Sequence, residues 1–241
     1  MKKKNNNIFI FSVLVVITLL VLGLALYFGS KKDKENVSTD AIKFKKEYEK
    51  YNNKEAGNGY KYPKVTLDDN NKFVYSNTNE IIETLKNGTG IIYFGFPQCP
   101  WCRNSVNVLN YLNVDKILYL DVLNLRDSYE VKNGSLEKTK EPGKGYYEIL
   151  SLLDEVLDDY ELVDNGVTYK TGEKRLYVPL VVGVKEGKIV GYHVDTVTLD
   201  NDQTPYDLLT KKQQEELKEI YDDIVNEVYK NTCSIDDNNG C

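Results

Sequence analysis

The longest apolar stretch of the chain stands near its N-terminus. Residues 8–28 are interrupted only by Ser12, Thr18 and Gly23, and three lysines precede them. As a helix these 21 residues rise about 30 Å, which matches the hydrocarbon core of a membrane and exceeds the apolar core of a cleaved signal peptide. The pattern predicts an uncleaved membrane anchor, with cleavage after the small residues at 23–25 as the alternative.

Lysines flank the predicted anchor on both sides, so charge alone does not decide its orientation. Because short N-terminal tails usually stay inside, we expect residues 1–7 in the cytoplasm. The bulk of a single-pass chain would then lie on the extracytoplasmic side of the cell membrane.

A polar segment follows the predicted anchor. Residues 29–63 are rich in Lys, Asn, Glu and Gly, which is the composition of a solvated tether. A short satellite helix is expected inside it, over residues 41–51, because Phe44, Tyr48 and Tyr51 recur at helical spacing.

Residues 64–231 show the pattern of an α/β domain, beginning with a helix over Thr78–Asn87. The apolar run Gly90–Phe96 is too short for a helix and predicts a buried strand, and apolar residues at helical spacing follow Cys102. A second strand is expected over Lys116–Leu123. Strand, helix and strand in this order predict a right-handed crossover with parallel pairing.

The second half of this domain begins with a polar stretch, residues 124–176, which we interpret as an insertion carrying one helix over Tyr146–Leu157. Residues 178–194 predict a β-hairpin, and Thr210 and Gln213 form the capping box of a final helix. Turn signals punctuate the insertion at Asn133-Gly134, Pro142-Gly143 and Asn165-Gly166.

Charge and cysteine content narrow the function. The formal net charge is −6 and no basic cluster is present, which argues against a nucleic-acid partner. Seven residues separate Cys233 and Cys241 in the tail 232–241, whereas zinc sites prefer closer spacing. We therefore predict no metal site and a structural disulfide in the tail, which requires an oxidising compartment; redox sensing is the alternative.

The other two cysteines form the run Cys99-Pro100-Trp101-Cys102, which begins a predicted helix directly after a predicted strand. A helix N-terminus stabilises a thiolate and lowers its pKa. Cys99 is therefore the candidate nucleophile, and Cys102 can resolve a mixed disulfide. A structural disulfide or half a metal site is the alternative for this pair.

These features resemble the thioredoxin superfamily on three matches: the strand, Cys-Pro-Trp-Cys and helix unit, the pair Val178-Pro179 before a strand, and the hairpin turn Lys185–Lys188. The run from Tyr93 to Arg103 also resembles membrane-anchored bacterial members of the bacteriocin-transport-accessory type. The resemblance implies a three-layer α/β fold with a central mixed sheet. It also implies a cis Pro179 facing the cysteines, a Val178 backbone that pairs with substrate, and no cofactor.

The chain departs from that family at several positions. Tyr93 stands where thioredoxins carry a buried acid, which puts proton handling in doubt. Asp195 replaces a glycine that often lines the substrate groove, and the Pro100-Trp101 pair differs from the Gly-Pro of cytosolic thioredoxins. The insertion would enlarge the surface beside the site.

Three further side chains have alternative interpretations. Trp101 either contacts substrate or shields the sulfur. Arg103 either adds to the positive field or is solvated, the second being more common for an arginine in a first turn. His193 is the only histidine and is expected to be structural rather than half of a Cys-His pair.

The leading hypothesis is therefore a thiol-disulfide oxidoreductase that acts on thiols or disulfides of exported proteins or peptides, with a membrane redox partner. The alternative is a non-catalytic thioredoxin-fold binding module or an accessory protein of an export complex. Delivery of a transition metal is a third hypothesis.

Overall fold

The computed structural model describes residues 38–57 and 59–230, and in these ranges the chain forms five α-helices and nine strands. The helices are α1 (Thr39–Glu49), α2 (Thr78–Asn87), α3 (Pro100–Leu109), α4 (Tyr146–Leu152) and α5 (Lys211–Tyr229). The strands are β1 (Phe73–Tyr75), β2 (Gly90–Gly95), β3 (Ile117–Asp121), β4 (Ser128–Lys132), β5 (Ser135–Lys140), β6 (Asp158–Asp164), β7 (Val167–Arg175), β8 (Leu180–Lys185) and β9 (Lys188–Val194).

Several predicted features lie outside the described residues: the tail 1–7, the anchor 8–28, and the pair Cys233 and Cys241. Within the ranges that are described, no helix combines the length and the apolar character needed to cross a membrane.

A mixed five-stranded sheet forms the centre, with the order β1-β3-β2-β8-β9. Strands β1 and β2 both pair parallel to β3, whereas β8 is antiparallel to β2 and β9 is antiparallel to β8. The predicted α/β class and mixed central sheet are confirmed, as are the buried strand β2 and the β8–β9 hairpin. Every residue of β2 is buried, which explains its unbroken apolar sequence.

The two faces of the sheet are covered by different helices. Side chains alternate along β2, so that Ile91 and Tyr93 pack with apolar residues of α1, α3 and α5. Ile92 and Phe94 pack with residues of α2 and α4 on the other side. The helices thus form one layer on each face.

Local signals set the starts of two helices. Asn77 and Glu80 form a capping box at α2, and Thr210 and Gln213 form the predicted one at α5. Each box satisfies amide groups that the first turn leaves free. Helix α5 also packs closely on β8, where a Cβ at Gly183 would stand 2.6 Å from a methyl group of Ile224.

The helix predicted over residues 41–51 is confirmed, but it packs into the domain core and is not a satellite helix of a solvated tether. Helix α1 begins after the cap Ser38, and the Phe44 ring stacks on Phe73 with centroids 4.0 Å apart. Phe44 and Tyr48 are fully buried. The polar composition of the segment hides this burial, because the three buried residues, Ala41, Phe44 and Tyr48, recur at helical spacing on one face.

The segment 124–176 also differs from the prediction of one helix in a polar insertion. Helix α4 ends at Leu152, a 3₁₀ turn follows it, and two hairpins, β4–β5 and β6–β7, flank this unit. Both hairpins turn at predicted Asn-Gly pairs, whose residues have positive φ. Helix α4 belongs to the core beneath the sheet rather than to a peripheral unit.

We expect the substitution Phe44→Ala to lower the free energy of unfolding by about 3–5 kcal/mol, because it empties a fully buried aromatic site. Chemical denaturation of the full chain measures this change. Lys46→Ala, at an exposed position of the same helix, is the control and should change stability little. Equal stability of Phe44→Ala and Lys46→Ala would show that α1 contributes nothing to the domain.

Candidate active site

Strand β2 carries the chain to Cys99, the N-cap residue of α3. Cys99 is extended (φ −82°, ψ 119°), and its Sγ accepts a hydrogen bond from the Cys102 N–H at 3.2 Å. Pro100 occupies the first turn, where its missing N–H costs nothing. The sulfur of Cys99 thus takes the place of the usual capping oxygen. The hydrogen bond that it accepts from the Cys102 amide favours a negative charge on the sulfur.

The two thiols differ in their access to solvent. Cys99 is 7% exposed and Cys102 is completely buried, and both are free cysteines. A partner molecule therefore reaches the Cys99 sulfur first, while Cys102 stands behind it in the first turn of α3.

The predicted Val178-Pro179 pair faces Cys99. Phe94 of β2 lies opposite Leu180 of β8 in the antiparallel register. The residues that precede β8 therefore lie beside those that follow β2. The Val178–Pro179 peptide is cis, as the resemblance implies, and the Cys99 Sγ lies 3.8 Å from the Val178 carbonyl oxygen. The structure thus brings Cys99, Cys102 and Val178-Pro179 together.

The pKa of Cys99 is lowered relative to a free thiol. Burial acts in the opposite direction, but hydrogen bonds from the thiol and the backbone N–H of Cys102 outweigh it, and the charge of Arg126 adds to their effect. Asp195 opposes this slightly. The balance favours a thiolate at Cys99.

The pKa of Cys102 is raised well above the usual value. Burial is the largest cause, and the hydrogen bond and negative charge of Cys99 add to it. Hydrogen bonds from the Phe96 backbone and the Tyr93 hydroxyl act in the opposite direction. One thiol is thus prepared to ionise while its neighbour stays protonated, which suits an attacking and a resolving sulfur.

Arg126 is a site residue that the sequence interpretation missed. Its guanidinium lies 5.1 Å from the centre of the Phe96 ring, and Nη1 donates to the Leu176 carbonyl at 3.4 Å. Its buried Nε has no hydrogen-bond partner within the described chain. No motif marks Arg126, because it lies in the polar segment after β3 and reaches Cys99 only through the fold.

Arg103 is not solvated, in contrast to the commoner expectation for it. The side chain is fully buried, and it donates to the carbonyl oxygens of Pro63, Tyr48 and Pro97 and to Asn52 Oδ1, at distances of 2.6–3.1 Å. Burial lowers the pKa of Arg103 to about 10, so the guanidinium stays charged at neutral pH. Its role in the structure is to hold loops to α3.

Tyr93 and Trp101 are the two aromatic residues predicted at the cysteine pair. The Tyr93 hydroxyl is buried and donates to the Cys102 carbonyl at 3.3 Å, so this side chain contacts the resolving cysteine as a shell residue. Trp101 is half-buried in the first turn of α3, and contact with substrate stays a prediction.

His193 lies at the end of β9, and Asp195 follows the strand, near the cis-proline. The Asp195 N–H donates to the Pro179 carbonyl at 2.8 Å, and Asp195 adopts a positive φ of 72°, the conformation that a glycine takes most easily. His193 Nε2 lies 3.0 Å from the Thr196 carbonyl oxygen, a contact within its own turn. This contact agrees with a structural role for His193.

Compared with known proteins, the chain matches no family model, no curated protein and no solved structure.

The lowered pKa of Cys99 predicts how its reactivity depends on pH. We expect its alkylation by iodoacetamide to have a midpoint below about 8.5, the value of a free thiol. Cys102 should react only at higher pH, because its pKa is raised. Mass spectrometry of the alkylated peptides checks both thiols in one experiment. A Cys99 midpoint at or above the free value would contradict the electrostatics described above.

Removal of the Arg126 charge should raise the pKa of Cys99. We expect the pH midpoint to rise in Arg126→Gln, since a nearby positive charge favours the thiolate. Arg126→Lys keeps the charge and is the matched control, for which we expect a smaller rise. The same alkylation profile measures both variants, and an unchanged midpoint in Arg126→Gln would exclude this role.

Proposed function

We propose that this protein is a thioredoxin-like thiol-disulfide oxidoreductase that works without a metal or an organic cofactor. The observation that carries the proposal is the pair of thiols at the start of α3. Cys99 Sγ caps the helix and has a lowered pKa, while the buried Cys102 has a raised one. Such a difference in pKa is expected of an attacking and a resolving thiol.

The first step is attack of the Cys99 thiolate on one sulfur of a substrate disulfide. The new bond joins Cys99 to the substrate, and the other substrate sulfur leaves as a thiolate. In this proposal the backbone of Val178, whose carbonyl oxygen lies beside the Cys99 sulfur, pairs with the extended substrate next to Pro179, as the resemblance implies.

In the second step, Cys102 attacks Cys99 Sγ in the mixed disulfide. The Cys99–Cys102 disulfide forms, the second substrate sulfur leaves, and two electrons pass from the protein to the substrate. The same steps in reverse oxidise a dithiol. The reaction needs no other reagent within one turnover.

The fold supports the proposal at a coarser level. A mixed sheet with helices on both faces is compatible with a thioredoxin-like fold. In this proposal the hairpins β4–β5 and β6–β7 are additions before the cis-proline strand, and residues 8–28 anchor the domain on the extracytoplasmic side. The substrates are then exported proteins or peptides, and a membrane redox partner regenerates the cysteine pair.

A non-catalytic binding module is the second candidate. The low exposure of Cys99 and the hydroxyl of Tyr93 in place of an acid favour it. In that case the segment 124–176 would grip an exported peptide or a transport complex, and the cysteines would only brace the loop.

Trapping of a covalent complex tests the enzyme hypothesis. We expect Cys102→Ser to retain the attack by Cys99 but to lose resolution, so that mixed disulfides with exported proteins accumulate and are identified by mass. Cys99→Ser should form no adduct and should not catalyse reduction of insulin by dithiothreitol.

The matched control replaces the other two cysteines, Cys233 and Cys241, with serine. This double variant should keep the activity of the unsubstituted chain, since neither residue belongs to the proposed centre. Insulin reduction that survives Cys99→Ser would reject the enzyme hypothesis, and absence of any adduct with Cys102→Ser would favour the binding module.

A further inference from the structure

The buried position of Cys102 creates a chemical requirement. This thiol must ionise to resolve a mixed disulfide, yet it is completely buried, and burial disfavours a charged sulfur. In the part of the chain that the structure describes, the hydrogen-bond partners of Cys102 are backbone groups, the Cys99 thiol and a tyrosine hydroxyl, none of them a carboxylate. Some other group has to favour the thiolate.

Two buried hydroxyls stand at the right place. The Tyr93 hydroxyl lies 3.3 Å from the Cys102 carbonyl oxygen, and the Tyr48 hydroxyl lies 3.0 Å from the Tyr93 hydroxyl. A carbonyl oxygen only accepts, so Tyr93 must donate to Cys102 and Tyr48 must donate to Tyr93. Both hydrogens therefore point along the chain of hydroxyls toward Cys102.

The fold fixes this arrangement from several sides. The Tyr93 ring stacks on Tyr119 with centroids 5.5 Å apart and meets Phe73 edge-on. A Cβ at Gly95 would stand 2.3 Å from the Tyr93 oxygen, so the absent side chain at Gly95 leaves the space that the hydroxyl fills. Tyr48 comes from α1, the helix whose burial corrects the tether prediction.

The hydroxyls also stay protonated. Burial raises the pKa of Tyr48 and of Tyr93 well above the usual value for a phenol. Each is consequently a hydrogen-bond donor throughout the physiological pH range. The Tyr93 hydrogen bond already acts to lower the pKa of Cys102, against the larger effect of burial.

We propose that the Tyr48–Tyr93 hydroxyl pair stabilises the Cys102 thiolate in the resolving step, with Tyr93 as the donor and Tyr48 as a positioning residue. The inference rests on the proposed function. As the Cys102 proton leaves, the Tyr93 hydrogen turns from the carbonyl oxygen to the sulfur. The S–S bond between Cys102 and Cys99 forms, the bond from Cys99 to the substrate breaks, and the leaving substrate thiolate takes up the proton that Cys102 has lost.

Release of thionitrobenzoate isolates this step. The reduced full chain, with Cys233→Ser and Cys241→Ser, is mixed with Ellman's reagent. Attack by Cys99 releases a first coloured thiolate, and attack by Cys102 on the mixed disulfide releases a second, so stopped-flow absorbance separates the phases.

In Tyr93→Phe we expect the first phase to keep its rate. The second should slow about tenfold at neutral pH, with its pH midpoint about one unit higher, as for the loss of one hydrogen bond to a charged group.

Tyr48→Phe should change the second phase in the same direction but less, because it removes only the group that orients Tyr93. Tyr146→Phe is the matched control, because it removes a hydroxyl from a tyrosine that is fully buried in the other core cluster, on the opposite face of the sheet. We expect it to leave both phases unchanged.

The outcomes separate the two proposals. If the unsubstituted protein shows no second phase, the oxidoreductase proposal fails, and this inference fails with it. If the second phase is present but Tyr93→Phe leaves its rate and pH midpoint unchanged, the inference alone is overturned. Equal slowing in Tyr146→Phe would also overturn it, since the effect would then follow from any lost core hydroxyl.

Discussion

The antiparallel register between β2 and β8 is the constraint on which the candidate site depends. Because Phe94 lies opposite Leu180, the residues after β2 and those before β8 meet at the same end of these strands. This places Cys99 beside Val178. A slip of one residue would exchange the two faces of β8. Val181 would then leave one core cluster while Leu180 left the other. The apolar alternation that buries the sheet therefore also holds the site together.

A second constraint holds the N-terminal part of the described chain to the helix that carries the cysteines. The buried Arg103 guanidinium, on the active-site helix, donates to the backbone carbonyls of Tyr48 and Pro63. Removal of the Arg103 side chain would be costly, because each of these buried carbonyl oxygens would lose its hydrogen-bond donor. The same contact fixes the end of α1 that carries the Tyr48 hydroxyl to Tyr93. The helix with the cysteines and the helix with the hydroxyl donor are thus held as one unit.

The sequence predicts the parts of this fold that local signals specify. Helix α2 has the predicted bounds because Asn77 caps its start and Gly88 ends it. The strands of the hairpins β4–β5 and β6–β7 are not predicted, since β5, for example, has one apolar residue, Leu136, among charged and polar ones. The cysteine motif and Val178-Pro179 could be predicted from short runs. Arg126 could not, because its distance from Cys99 depends on the path of a long polar segment.

The use of hydroxyls beside a buried thiol has a thermodynamic consequence. A buried carboxyl group with a raised pKa binds a proton in the folded state that the unfolded chain has already lost, so stability falls as pH rises through the neutral range. Tyr48 and Tyr93 also have raised pKa values, but the unfolded phenols keep their protons up to about pH 10. Their stabilising effect is therefore complete below that pH. A hydroxyl pair can donate to a transient thiolate without making the folded state sensitive to pH near neutrality, which a buried acid at the same position would do.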